Sequence, residues 1–221
     1  MLYSTMNTQR EGVILLHGLA RTRRSMRSLA LFLGQRGYTV VNAGYRSCRE
    51  PIETLAQSTI PPAIAQLRRQ GVATIHCVTH SMGGILLRFF LSVERVPELG
   101  RVVMLSPPNQ GSELVDCLCR FAWFRRVFGP AGCQLTTGTE GLPARLGPAD
   151  FPLGVITGNR PAIGLGQFFP GPNDGKVSVA RAQLAGMADF LEVGCGHSLI
   201  MRHRRVQEQV AHFLGNGRFE R

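Results

Sequence analysis

Three features of this 221-residue sequence predict an α/β architecture, a mostly parallel sheet of about six strands with helices on both faces. Short, continuous apolar runs alternate with longer stretches of helical periodicity. One of those runs, Thr74 to Val78, passes through Thr79-His80-Ser81-Met82-Gly83-Gly84 straight into a second apolar stretch, Ile85 to Leu91. The alternation has one long interruption, between Pro107 and Pro152.

The elements follow in order. Residues 1–12 are polar and carry no pattern. Val13 to Leu16 is apolar throughout and reads as a strand buried on both faces. It ends at His17-Gly18-Leu19, followed by an arginine-rich loop in which Thr22 or Ser25 can cap the next helix. Met26, Leu29, Ala30 and Leu33 share one helical face, and Gly37 stops the run before a strand at Tyr38 to Val41. A loop through Asn42, Gly44 and Cys48 leads to a helix with an apolar face of Leu55, Ile60, Ile64 and Leu67. Pro61-Pro62 are expected to start or kink it, and Gly71 to end it. After Thr74 to Val78 and the helix beyond Ser81, Pro97 and Gly100 punctuate the chain, and Val102 to Leu105 is the next strand. Leu114 to Phe128 reads as helix and Gly129 to Gly147 as loop. Leu153 to Thr157 resumes the strand pattern, a Gly/Pro loop runs to Pro172, and Phe190 to Val193 is the last strand. Leu199, His203, Val206, Val210 and Phe213 mark one face of a C-terminal helix that Gly215 closes. The expectation is one domain over residues 1–221, with a cap insertion at about 107–152.

Composition narrows the class. The hydrophobic fraction is 44% and the charged fraction 18%, which fits a globular protein and excludes disorder. No apolar run reaches membrane-span length and no signal pattern opens the chain, so a cytoplasmic location is expected. The net charge of +11 comes almost wholly from arginine, because Lys176 is the only lysine. The arginines form pairs and short clusters without the interleaved aromatics of a nucleic-acid module, so no nucleic-acid partner is expected. A solvated basic surface is the leading reading, and weak association with an anionic membrane surface comes next. Cys117 and Cys119 are two apart, which is not zinc spacing; all six cysteines read as free thiols, with a bridge to Cys133 as the alternative.

The chemistry concentrates at strand ends, where parallel sheets gather ligands. Ser81 lies between a buried strand and a helix, with Gly83 and Gly84 allowing the helix to fold back on the strand. That is nucleophile-elbow geometry, although Thr79 stands where the usual Gly-x-Ser-x-Gly pattern has its first glycine. His17-Gly18-Leu19 follows the first strand, Asp174 lies in a loop after the fifth, and His197 follows the sixth.

With these pieces the chain resembles a small bacterial lipase or esterase of the α/β-hydrolase superfamily. The matching segments are Leu16-His17-Gly18-Leu19, the elbow, Asn173-Asp174-Gly175-Lys176-Val177-Ser178-Val179 and Gly196-His197. Pro108-Asn109-Gln110-Gly111-Ser112 is similar to a stretch that follows the elbow's neighbouring strand in these lipases. The resemblance spans Val13 to Leu214 and implies a reduced sheet without the antiparallel strands that open full-size members. It implies a Ser81 nucleophile, His197 as its base and Asp174 as orienter. It assigns the oxyanion hole to the backbone N–H groups of Leu19 and Met82, with His17, Gly18, His80 and Gly83 in support. Carboxylic esters or lipid esters are the implied substrates, and neither a metal nor a cofactor is implied.

Alternatives stay open from the residues alone. Ser81 is also a plausible helix cap. Asp174 in Asn-Asp-Gly is also a turn former, and Asp150, Glu140 and Asp189 compete for its role. His203 and His212 compete with His197, although both fall in the final helical pattern and His203 is expected to pack. Phe121, Trp123 and Phe124 are candidates for an acyl pocket; the competing reading packs them on the sheet edge. A thioesterase or amidase uses the same machinery, and a hydrolase-fold binding protein without turnover is the reading from another class. The sequence carries no signal for oligomeric state.

Overall fold

The computed structural model describes residues 10–161, 164, 166 and 169–221. Part of the Gly/Pro loop predicted before Pro172 falls outside this set. Six parallel strands form one sheet in the order β2-β1-β3-β4-β5-β6. They are β1 (Glu11–Leu16), β2 (Thr39–Ala43), β3 (Thr74–His80), β4 (Leu99–Leu105), β5 (Leu153–Gly158) and β6 (Asp189–Val193). Five of the predicted runs lie within these strands, and the sixth, Tyr38 to Val41, overlaps β2, which starts one residue later and runs on to Ala43. The chain moves outward from β1 to β2 and then returns to pair β3 on β1's other edge. The strand order therefore reverses between β1 and β3, the place where such sheets open a crevice at their carboxyl ends.

Continuous apolar strands are explained by burial on both faces. Ile14 and Leu16 point to one core with Cys77, Val102 and Met104. Val13 and Leu15 point to the other with Val78, Val103 and Leu105. Helices α1 (Arg27–Gly34) and α8 (Arg204–Asn216) cover the second face, and α2 (Ile52–Arg69) and α3 (Met82–Val93) the first. No helix of the described residues is long and apolar enough to cross a membrane.

Five expectations require correction. Helix α2 begins at Ile52, well before Pro61, and runs through both prolines. Its buried stripe of Ile52, Leu55, Ala56, Ile60, Ala63, Ile64 and Leu67 supplies the burial that outweighs the missing N–H groups. The predicted single helix at 114–128 is two, α4 (Glu113–Leu118) and α5 (Ala122–Cys133). Helix α5 extends past Gly129, which takes φ 67° and ψ −169° inside it. A side chain there is barred in any case, because its Cβ would lie 1.9 Å from the Cys48 carbonyl oxygen. The predicted loop to Gly147 thus contains the end of α5 and the short α6 (Leu142–Arg145). At the C-terminus, residues His197–Arg202 form a 3-10 turn and α8 starts only at Arg204. Leu199 is consequently 57% exposed and His203 is exposed, so neither belongs to the buried stripe of Val206, Val210 and Phe213. Gly217, at φ 75°, is the left-handed cap that ends α8, two residues beyond the predicted Gly215.

The segment between β4 and β5 is tied to the sheet by Arg88 of α3, which is buried. Its guanidinium donates to the carbonyls of Asn109 at 2.8 Å, Pro143 at 3.2 Å and Gly147 at 2.7 Å. Burial lowers its pKa to about 10, so it still carries its charge at neutral pH. Nothing in the sequence pattern marks Arg88 as buried, since it sits inside an apolar helix as a lone cation. A short seventh helix, α7 (Val179–Ala182), packs beside β5 and is joined to this segment through Arg181 and Glu113, 2.9 Å apart.

Candidate active site

The site assembles from the β1, β3, β5 and β6 ends. Ser81 occupies the residue before α3 but does not cap it: its φ of 53° and ψ of −126° direct the hydroxyl away from the helix amides. The Ser81 hydroxyl instead lies 3.0 Å from His197 Nε2. His197 Nδ1 lies 2.8 Å from Asp174 Oδ2. These contacts define one tautomer, with Nδ1–H donating to the carboxylate and Nε2 accepting from the serine.

The elbow is held by close packing. The Ser81 amide donates to the Leu105 carbonyl of β4 at 2.9 Å. A Cβ on Gly83 would meet the Leu16 and His17 carbonyl oxygens, each at 2.8 Å, so α3 lies directly against the end of β1. Thr79 is fully buried, and a Cβ on Gly84 would approach its hydroxyl to 3.3 Å. The space that a β-branched residue takes at the first position of the elbow is left open by the absent side chain of Gly84, one residue beyond the pattern's last glycine. The Thr79 hydroxyl has no hydrogen-bond partner among the described residues, so the substitution for glycine carries a polar cost.

Backbone strain gathers at the same strand ends. Among the described residues three non-glycines have positive φ: Ala20 at 53°, Ser81 at 53° and Ser106 at 46°. They follow β1, β3 and β4 respectively, around one crevice. Such conformations cost of order 1–3 kcal/mol each and persist where the surroundings over-determine them.

Asp174 is buried and held by the loop it starts. Its Oδ1 accepts from the amides of Lys176 at 3.0 Å and Val177 at 2.9 Å. Its own carbonyl accepts from the His197 amide at 3.0 Å, which fixes the spacing of the two side chains. Burial opposes ionisation of the carboxyl, but the His197 ring and the hydrogen bonds from His197, Ser106 and the Val177 amide outweigh it and lower its pKa. The rivals lie elsewhere. Asp189 binds the Phe219 amide and Arg221 at the far edge of the sheet, and Asp150 and Glu140 are outside the cavity lining. His212 is hydrogen-bonded to the Arg218 carbonyl in the C-terminal turn.

The two other histidines have one structural task each. His80 donates through Nε2 to the His197 carbonyl at 3.0 Å, while its Nδ1 is buried without a partner beside Gly18. Burial, reinforced by His197, holds its pKa well below the usual histidine value, so the ring is neutral. His17 donates from Nδ1 to the Gly18 carbonyl at 2.9 Å and accepts from the Tyr45 amide at 3.4 Å. Tyr45 stacks on the His17 ring with centroids 3.9 Å apart, and its hydroxyl donates to the His17 carbonyl. This clamp sets the Gly18-Leu19 turn against the serine, where a Cβ on Gly18 would reach Ser81 Cβ at 3.1 Å. Leu19 lines the cavity, and Met82, buried, is the first residue of α3, next to Ser81.

Above Ser81 and His197 lies a cavity of about 320 Å³. Its apolar wall is Leu114, Val115, Leu118, Phe124, Phe128 and Leu135, all from the β4–β5 segment. Of the three aromatic candidates, Phe124 lines this cavity, while Phe121 and Trp123 are 47% and 52% exposed and do not. Helix α5 presents Phe124 and Phe128, four residues apart, to the interior, and its remaining aromatic, Trp123, to solvent. Phe128, Leu114, Val115, Leu118 and Leu135 were missed as lining residues; the i, i+4 spacing of Phe124 and Phe128 was the available signal. All six cysteines are free.

No family model matches the chain, and no curated protein sequence matches it. Solved structures do. Phospholipase PlaB from Legionella pneumophila superposes with a TM-score of 0.66 at 19% identity, over 93% of this chain and 57% of that one. Bacillus licheniformis lipase BlEst2 in its mature form gives 0.62 at 18% identity, over 96% and 93%. The Pyrococcus furiosus esterase Pf2001 gives 0.67 at 19% identity, over 95% and 83%. The chain spans little more than half the length of PlaB, but nearly all of BlEst2. At these identities the likeness is one of fold, and the chain has the α/β-hydrolase fold.

Proposed function

We propose that this chain is a serine hydrolase that cleaves carboxylic esters through an acyl-enzyme on Ser81. The observation that carries the reading is the hydrogen-bonded series Asp174–His197–Ser81 at the floor of an apolar cavity. An isolated serine hydroxyl is a weak nucleophile and needs a base within hydrogen-bond reach. His197 Nε2 takes the hydroxyl proton as Oγ bonds to the ester carbon, and the carbonyl oxygen becomes an oxyanion. The Leu19 and Met82 amides receive that charge; one such donor is worth about 3 kcal/mol in the barrier. The imidazolium is stabilised by ionised Asp174 and returns its proton to the departing alkoxide. Water, deprotonated by the same histidine, then releases the carboxylic acid and restores Ser81.

The 107–152 segment acts as a cap in this account, because it supplies the apolar wall that receives the acyl chain. A cavity near 320 Å³ is at the small end of ligand sites, which favours short and medium chains over long ones. The same reading extends to lipid esters, the substrates that the names of PlaB and BlEst2 bring to mind. The test is a chain-length series of p-nitrophenyl esters on the wild type and Ser81→Ala, with thioester and amide counterparts. Activity that survives Ser81→Ala would remove Ser81 from the account.

A further inference from the structure

Two cations line the cavity without an ion-pair partner among the described residues. Arg21 and Lys176 both line the cavity that holds Ser81 and His197. Neither takes part in any ion pair of the described residues. Every Asp and Glu of the chain lies within those residues, so no unseen carboxylate is available to pair with them. Neither side chain makes a hydrogen bond among the described residues, in contrast to Arg88, whose guanidinium is spent on carbonyls. Arg21 is half-buried and Lys176 exposed, and Lys176 is the only lysine in a chain that otherwise uses arginine.

The two line one cavity and their charges act on each other. Partial desolvation at the cavity lowers the pKa of Lys176, and the charge of Arg21 lowers it further. Asp174 acts on the ammonium in the opposite sense, but its oxygens are committed to His197 and to the amides of residues 176 and 177. Two like charges held together at the rim of an apolar chamber cost stability unless an anion joins them. The position of Lys176 is informative. With His197 it also lines a second groove, together with Arg160, Asp174, Gly196, Ser198 and Leu199, and Arg21 faces it from the main cavity. The leaving group must depart next to His197 Nε2 to receive its proton. The acyl wall of α4 and α5 contains none of these residues.

We propose that Arg21 and Lys176 form a subsite for a phosphate group carried on the leaving-group side of the ester. The inference rests on the serine-hydrolase reading of Ser81 for its place in catalysis, but the anion site is testable without it. The substrate class is then an apolar acyl chain esterified to a phosphate-bearing alcohol, either a soluble phosphate ester or a phospholipid with its headgroup. A phosphate fits two cationic groups better than a carboxylate does, because it offers more acceptor oxygens and up to two negative charges.

The first arm measures binding of phenyl phosphate by calorimetry to Ser81→Ala and to Ser81→Ala carrying Arg21→Gln and Lys176→Gln. The expected result is saturable one-to-one binding, weakened about tenfold or more by the double change and weakened by added salt. The second arm compares kcat/KM for 4-(hexanoyloxy)phenyl phosphate with that for the hexanoate ester of 4-methoxyphenol, two phenyl esters that differ mainly in charge. The ratio should favour the phosphate ester in the wild type and fall about tenfold in Arg21→Gln/Lys176→Gln. The third arm repeats the comparison on sonicated phosphatidylglycerol and diacylglycerol vesicles: a preference confined to vesicles identifies a lipid headgroup, and one confined to the soluble pair identifies a free phosphate ester. No binding of phenyl phosphate, or binding and rate ratios indifferent to the double change, overturns the subsite even if neutral esters are hydrolysed. Binding that is lost in the double variant, with no turnover of any ester, upholds the subsite and removes the hydrolase reading instead.

Discussion

Gly83→Ala tests how tightly the elbow controls the chemistry. The added Cβ would lie 2.8 Å from both the Leu16 and His17 carbonyl oxygens, where ordinary contact begins near 3.4 Å, a deficit of 0.6 Å. Both obstacles are backbone at the end of a central strand, so neither moves aside by rotating a side chain. The relief must come from separating the start of α3 from the end of β1. Those two segments carry the amides of Met82 and Leu19, which the proposed mechanism needs at a fixed spacing. Overpacking of this kind costs about 1–3 kcal/mol in stability. A displacement of this size at reacting groups costs about 10- to 100-fold in rate. The assay pairs the second-order rate of fluorophosphonate labelling with kcat on a p-nitrophenyl ester, and urea unfolding reads the stability. Gly34→Ala is the control: nothing lies within 4 Å of a Cβ there, so it is expected to be neutral or stabilising with full activity. A folded Gly83→Ala protein that labels and turns over within about twofold of wild type would refute the reasoning, since a misplacement of this size cannot be silent.

Asp174→Asn keeps the shape of the loop but removes the charge, and is expected to lower kcat about 10⁴-fold with KM little changed, as measured on the same ester. Arg88→Leu strands the carbonyls of Asn109, Pro143 and Gly147, at about 1–3 kcal/mol for each buried group, so urea unfolding should show a loss of several kcal/mol. Acid should destabilise the fold through its buried histidines. The pKa values of His17, His76 and His80 are all lowered by burial from 6.5. The unfolded chain therefore binds more protons below that value, so the stability these rings contribute is complete above about pH 6.5 and is lost as pH falls from there. The slope is up to about 1.4 kcal/mol per pH unit for each ring, and His80→Gln should reduce it by one ring's share in urea titrations from pH 7 to 5. Asp174 adds its share lower down: its pKa is depressed, so its contribution is complete above about pH 4 and is lost only as pH falls further.

The sheet was legible because its central strands, β1, β3 and β5, are buried almost throughout and read as apolar runs, while the half-buried edge strands β2 and β6 were marked by shorter ones. The order of the candidate site was legible for a related reason: in a parallel sheet, residues just past strand ends share one edge, so Ser81, Asp174 and His197 needed only their positions relative to six strands. That their side chains meet at 3.0 and 2.8 Å is a tertiary fact. The Thr79 departure could not be weighed from sequence, because the room for it comes from Gly84, just past the motif and in the first turn of α3. The β4–β5 segment was the least legible. Gly129 and Pro130 read as a helix end, yet α5 continues through a single non-helical residue whose missing side chain admits the Cys48 carbonyl. Which aromatics face the cavity then follows from the rotation of α5, and four aromatics in eight residues, Phe121 to Phe128, leave that rotation undetermined. The prolines of α2 misled in the same way, since propensity is local and the buried stripe that overrides it is not.

The central claim is that Ser81 is the nucleophile and His197 activates it. Its most direct measurement is intact-protein and peptide mass spectrometry after brief treatment with a fluorophosphonate at neutral pH, on wild type, Ser81→Ala and His197→Ala. The account predicts one adduct per wild-type chain, located on Ser81, none on Ser81→Ala, and labelling of His197→Ala slower by orders of magnitude. An adduct at another residue, or equal labelling with and without His197, would contradict it.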